Sequence, residues 1–153
     1  MTKASEVIAA LKGRTLCTAE SCTGGMVGAA LTAVPGSSKV YKGGIVSYWS
    51  EIKHSLLGVD KETLAKLGPV SAQVAVQMAK GARRALDADV AVSVTGLAGP
   101  GGDDFGNPVG TVFLGYADDN TAIWEEHHFT GDREAVRAQA AEAALALILK
   151  NIH

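Results

Sequence analysis

DVAVSVTG, residues 89–96, is a nearly unbroken apolar run. A strand with one wet face alternates polar and apolar side chains. A run of valines and small residues instead belongs to a strand covered on both faces. The chain therefore needs helices above and below a sheet, which is the three-layer α/β/α arrangement.

Downstream of that run, LAGPGGDDFGNP (97–108) is too rich in Gly and Pro for regular structure. VGTVFLGYAD (109–118) and TAIWEEHHF (121–129) read as strands joined by a short Asp/Asn turn, an antiparallel hairpin. Asp132 is placed to cap a last helix with Val136, Ala140, Ala144, Leu147 and Ile148 on its apolar side. Upstream, Ser71 is placed to cap a long helix carrying Val74, Ala75, Met78, Ala82 and Leu86. Asp60 suits the cap of a short helix ending at Leu67, and SEIKHSLLGV (50–59) reads as a helical turn. KGGIVSYW (42–49) and RTLCTA (14–19) are strand candidates, with a helix over MVGAALTAV between them that stops before Pro35. The N-terminal segment sets Val7, Ile8 and Leu11 on one face, and Gly13 suits its stop. The expected fold class is α/β, a single domain over 1–153 with a mixed sheet that includes the hairpin of the C-terminal half.

Composition narrows the function. The 153 residues carry a net charge of −2, with no basic face of the kind nucleic acid requires. No apolar run approaches the ~20 residues of a membrane span. The N-terminus lacks a secretory signal pattern, so a cytoplasmic location is expected. Cys17 and Cys22, five positions apart, suit neither a disulfide framework nor a zinc site, and Cys17 reads as a reduced core residue. No metal and no cofactor are expected, and the partner expected is a small molecule. The composition is compatible with a homo-oligomer.

TAESCTGG (18–25) runs from a strand end through a sharp turn into a helix. Open α/β sheets hold ligands at that end of their parallel strands. Free N–H groups of Cys22, Thr23, Gly24 and Gly25 would receive an oxyanion or a phosphate there. Ser21 and Cys22 are both candidate nucleophiles, and a capping role for Ser21 competes with them. The four histidines offer no obvious base, since His54, His127, His128 and His153 have no feature that places them near Ser21. A desolvated lysine is the alternative base. Lys53 follows Tyr48 by five residues, and both approach Ser21 if strand 42–49 lies beside strand 14–19. Tyr48 would then orient Ser21 and Lys53 or relay a proton between them. The strand end at Thr95 and Gly96, and the loop that follows with Ala98, Gly99, Pro100 and Gly101, offer backbone donors to an anion. Asp103 and Asp104 are expected to face solvent. Arg133 and Arg137 share one helix face and suit a phosphate or carboxylate, with a salt-bridged cap as the competing role.

Taken together, TAESCTGG, PGSS (35–38), GGIVSY followed by Lys53, LLGV (56–59), VSVTGLAGPGG (92–102), PVGTV (108–112) and GDREAVR (131–137) resemble the CinA C-terminal domain family. The likeness extends to that family's stand-alone form, the PncC-type nicotinamide mononucleotide amidohydrolases, and runs along nearly the whole chain. It implies hydrolysis of the nicotinamide mononucleotide carboxamide to the acid and ammonia. By resemblance the nucleophile falls on Ser21, the base on Lys53 and the assisting tyrosine on Tyr48. Thr95 and Arg137 fall on substrate-binding positions, with Arg137 and the 97–102 loop on the phosphate and ribose. A non-catalytic nucleotide-binding module and a hydrolase using Cys22 are the rival readings. In the family the tyrosine is followed by Ser-Asn-Glu-x-Lys, whereas here it is followed by Trp49-Ser50-Glu51-Ile52-Lys53. Trp49 is therefore expected to narrow the pocket or to stack on a flat ring.

Overall fold

The computed structural model describes residues 1–152. Five strands form one sheet: β1 (Leu16–Glu20), β2 (Tyr41–Val46), β3 (Val90–Gly96), β4 (Thr111–Ala117) and β5 (Ala122–His128). Their order is β2-β1-β3-β4-β5. The first three are parallel, and β4 and β5 add an antiparallel hairpin at one edge. The mixed sheet and its hairpin are as the apolar patterning requires.

Six helices cover it: α1 (Lys3–Ala10), α2 (Met26–Thr32), α3 (Ser50–Leu57), α4 (Lys61–Leu67), α5 (Ala72–Leu86) and α6 (Arg133–Asn151). In β3, Val90, Val92 and Val94 join the core under α1, α2 and α6, while Ala91 faces the layer holding α3 and α5. Both faces are dry, which accounts for the unbroken run at 89–96. Side chains cap four helices at their starts: Thr2 receives the Ser5 N–H, Asp60 that of Glu62, Ser71 that of Val74, and Asp132 that of Ala135.

The second layer is packed unusually close at one point. A Cβ on Gly81 of α5 would lie 1.7 Å from the carbonyl oxygen of Leu57. Only glycine lets α3 and α5 approach backbone to backbone there. The inward face of α3 carries Lys53 and Leu57, one turn apart, and both are buried. The segment expected as a helical turn is thus a full helix, and its packing against α5 drives a lysine inward.

Candidate active site

The parallel strands end together, and the site forms where they end. Ser21 N–H donates to Val94 O of β3 (3.0 Å), and Ser47 N–H donates to Glu20 O of β1 (2.7 Å). Ser21, the Ser47–Tyr48 segment and Thr95 thereby converge on a cleft of about 210 Å³. Opposite them the cleft is walled by Pro69 and Val70, ahead of α5, and by the loop after β3.

The turn after β1 is shaped by Gly24 and Gly25, with φ of 60° and 108°. These left-handed values favour glycine. Gly25 stands at the N-cap of α2 and supplies no side chain, so Ser21 is not the cap. The orphan helix N–H groups go instead to Glu20 at the end of β1. Its carboxylate accepts from Val27 N–H (2.9 Å), Gly28 N–H (3.0 Å) and the Thr23 hydroxyl (2.7 Å). Sequence reading passed over Glu20, and an acid at a strand end just before a Gly-Gly turn is the signal that marks it.

Ser21 and Lys53 meet directly. Lys53 Nζ lies 3.0 Å from Ser21 Oγ, 2.6 Å from Ser47 O and 3.5 Å from Tyr48 O. Lys53 is 1% exposed, and its described ion-pair partners number none. Burial without a carboxylate penalises the ammonium, and its pKa falls from 10.5 to about 8. A neutral amine has two donors and one lone pair. Its two N–H groups then serve the Ser47 and Tyr48 carbonyls, and its lone pair accepts the Ser21 hydroxyl proton. Cys22 also lines the cleft, but burial raises its thiol to about 11, so it stays protonated at neutral pH.

Several expected residues take other places. Tyr48 does not bridge Ser21 and Lys53: their 3.0 Å contact leaves no gap for a relay, and the Tyr48 hydroxyl accepts from Arg133 Nη2 at 2.9 Å. Arg137 does not line the cleft. Its Nε donates to Cys22 O (2.9 Å) and its Nη2 to Thr23 O (3.3 Å), beneath the turn. Arg133 crosses the mouth instead, with Nη1 also donating to Gly99 O (2.6 Å). Gly24 N–H is consumed by Ser21 O (3.0 Å), whereas Cys22, Thr23 and Gly25 N–H have no acceptor among the described residues.

Thr95, Gly96, Ala98, Gly99 and Gly101 line the cleft, and Pro100 does not. The Thr95 hydroxyl donates to Pro69 O (2.7 Å), tying the wall ahead of α5 to β3. Trp49 is 69% exposed at the start of α3 and is absent from the lining, so it neither narrows the cleft nor stacks within it. Asp103 turns inward to accept from Phe105 N–H, Asn107 N–H and Asn107 Nδ2, ordering the 102–108 loop, whereas Asp104 is exposed. No described histidine lines the cleft, and His153 lies outside the described residues.

Lys53 and Arg133 are the charged groups of the lining, and no carboxylate accompanies them. The arrangement is a serine beside a low-pKa amine, with unused amides close by and an unpaired guanidinium at the rim. It can acylate a serine hydroxyl and hold an anionic ligand without a metal ligand set.

The model of the CinA C-terminal domain family matches residues 1–152. The nicotinamide-nucleotide amidohydrolase PncC of Enterobacter agglomerans is 48% identical over 95% of this chain and 90% of its own length. A putative competence-damage inducible protein of Desulforamulus reducens is 42% identical over 87% of this chain, which spans only 32% of that longer relative. The crystal structure of a competence-damaged protein (CinA) superfamily protein from Escherichia coli superposes with a TM-score of 0.94 at 37% identity. That match covers 97% of this chain and 87% of the other.

Proposed function

The chain belongs to the CinA C-terminal domain family, and on that premise we propose that it is a nicotinamide-nucleotide amidohydrolase, its 153 residues acting as one catalytic domain. The reaction is hydrolysis of the carboxamide of nicotinamide mononucleotide to nicotinate mononucleotide and ammonia. The observation that carries the reading is the 3.0 Å contact between Ser21 Oγ and a buried, low-pKa Lys53 Nζ. The PncC relative, matched over 90% of its length, supports the substrate class.

With a pKa near 8, about a tenth of Lys53 is neutral at pH 7. Neutral Nζ takes the Ser21 hydroxyl proton as Oγ bonds to the amide carbon, and the carbonyl electron pair moves onto oxygen. The N–H of Cys22, which lines the cleft beside Ser21, is the donor left free to hold that oxyanion. The tetrahedral centre collapses, the C–N bond breaks, and the Lys53 ammonium delivers its proton to the departing nitrogen, giving ammonia and an acyl-serine. Lys53 is then neutral again. It draws a proton from water, the hydroxide attacks the ester, and Ser21 leaves with the proton returned. Arg133 at the rim, with the amides of the loop after β3, receives the substrate phosphate. Among the described residues its guanidinium is held only by the neutral acceptors Gly99 O and Tyr48 OH.

Ammonia release tests this reading on nicotinamide mononucleotide, its riboside and free nicotinamide. The mononucleotide is expected to exceed the riboside in kcat/KM by about 10- to 100-fold, the worth of one charge-assisted anion contact. Arg133→Gln is expected to remove most of that preference. Binding without ammonia would overturn the reading in favour of a non-catalytic nucleotide-binding module. Indifference to the phosphate would overturn the Arg133 assignment.

A further inference from the structure

We infer that Arg137 is a positioning residue for the oxyanion-binding turn, acting through the carbonyls of Cys22 and Thr23; this rests on the amidohydrolase reading above. Arg133 and Arg137 are one helical turn apart on α6, yet they reach different places. Arg133 crosses the cleft mouth, and Arg137 passes under the nucleophile turn without touching the cleft.

The contact spans 115 positions of sequence to reach Cys22 O and 114 to reach Thr23 O. Its targets are backbone carbonyls of almost fully buried residues, Cys22 at 5% and Thr23 at 0% exposure. Arg137 has no carboxylate partner among the described residues. A guanidinium that spends a full charge on two peptide carbonyls does two things. It fixes the orientation of both peptide planes, and it polarises them.

In a trans peptide the C=O and the N–H point in opposite directions. Drawing Cys22 O toward α6 therefore turns Thr23 N–H away from α6. Drawing Thr23 O the same way turns Gly24 N–H toward Ser21 O, where it closes the turn at 3.0 Å. With Ser21 O held by Gly24 N–H, the N–H of the same peptide, that of Cys22, turns the opposite way, and Cys22 lines the cleft beside Ser21. A donor on the carbonyl of a peptide strengthens the N–H of that same peptide as a donor. Arg137 thus holds, through Gly24 N–H and Ser21 O, the orientation of the Cys22 amide and sharpens it for the oxyanion. On the other side, Glu20 accepts the Thr23 hydroxyl, so the turn is clamped by an acid and a base that never touch the substrate.

This assignment separates from substrate anion binding by experiment. In Arg137→Gln, kcat for nicotinamide mononucleotide is expected to fall about 10- to 100-fold, less than for outright loss of an oxyanion donor. KM should stay within about twofold and the midpoint of the pH–rate profile near 8. Arg137→Lys, which keeps the charge and one donor, recovers part of the rate. Guanidinium ion added to Arg137→Ala restores turnover in a saturable way, which a purely structural defect would not allow. The rate at which a fluorophosphonate labels Ser21, read by mass spectrometry, is expected to fall in parallel, because its P=O occupies the same donors. Labelling of Ser21 without turnover of the mononucleotide would refute the proposed function and leave this inference standing. Arg137→Gln labelled at the wild-type rate, or one that raises KM while keeping kcat, would overturn it.

Discussion

Replacing Lys53 by methionine is expected to change how stability depends on pH, and the size follows from the geometry. Lys53 is buried without a counter-charge, and its pKa falls from 10.5 to about 8. Forcing its ammonium into the fold at neutral pH costs about 3 kcal/mol. Between pH 8 and 10.5 the unfolded chain holds a proton on this residue that the native chain has released, so stability rises with pH in that window. Below pH 8 both states are protonated and the penalty is constant. Above 10.5 both are neutral and it is gone. The slope of wild-type stability relative to Lys53→Met should approach 1.4 kcal/mol per pH unit, roughly, and total about 2.5 kcal/mol between pH 7 and 10. The methionine also strips Ser47 O of its 2.6 Å donor, which costs about 1–3 kcal/mol at every pH. That loss moves the variant curve as a whole and leaves the difference in slope intact. Urea unfolding of both proteins at several pH values measures it, and groups common to both cancel. Parallel curves, within about 0.5 kcal/mol across the window, would mean that Lys53 keeps an ordinary pKa. It would then be charged when Ser21 needs a base, and the mechanism would fail with it.

The same group sets the activity profile: kcat/KM should climb about tenfold per pH unit below pH 8 and level off above it, measured by ammonia release. Ser21→Ala should lower turnover at least about 10³-fold, whereas Cys22→Ala, which removes a protonated thiol and keeps the backbone N–H, should lower it less than about tenfold. The reverse order would make Cys22 the nucleophile. Gly81→Ala should cost about 3 kcal/mol or more, because its methyl would strike Leu57 O at 1.7 Å and push α3 off α5. Lys53 rides on α3, so turnover at a temperature where the variant stays folded should fall as well. A neutral result by thermal melting would disprove the close crossing.

What the sequence told reliably was what is local. Asp60, Ser71 and Asp132 cap the helices they precede, because each cap depends on a hydrogen bond only two or three residues away. The apolar run at 89–96 is the central strand, because burial on both faces leaves its mark in composition. Adjacency of strands 14–19 and 42–49 was a condition of the reading, and the β1–β2 pairing meets it. Long-range placement was not legible. Arg133 and Arg137 look interchangeable on a helix face, and only the approach of α6 to the turn separates rim from underside. Pro69 and Val70 stand just before the Ser71 cap, and nothing local in the sequence places them in the same cleft as Ser21. Lys53 became inward-facing because of a glycine 28 positions later that admits α3, a dependence no helical pattern within 50–59 contains.

Glu20 carries a consequence for what the start of α2 can hold. In many nucleotide-binding proteins a Gly-rich turn entering a helix presents its amides to a ligand's phosphate. Here the chain supplies the negative group itself, covalently tethered, and two of those amides already bind it. The motif is a nest with a resident occupant. A free phosphate approaching the same amides would meet a carboxylate first, and on the proposed mechanism the turn is left to the smaller, transient charge of a reacting carbonyl. On that proposed mechanism, replacing Glu20 would open the turn to inhibition by simple anions.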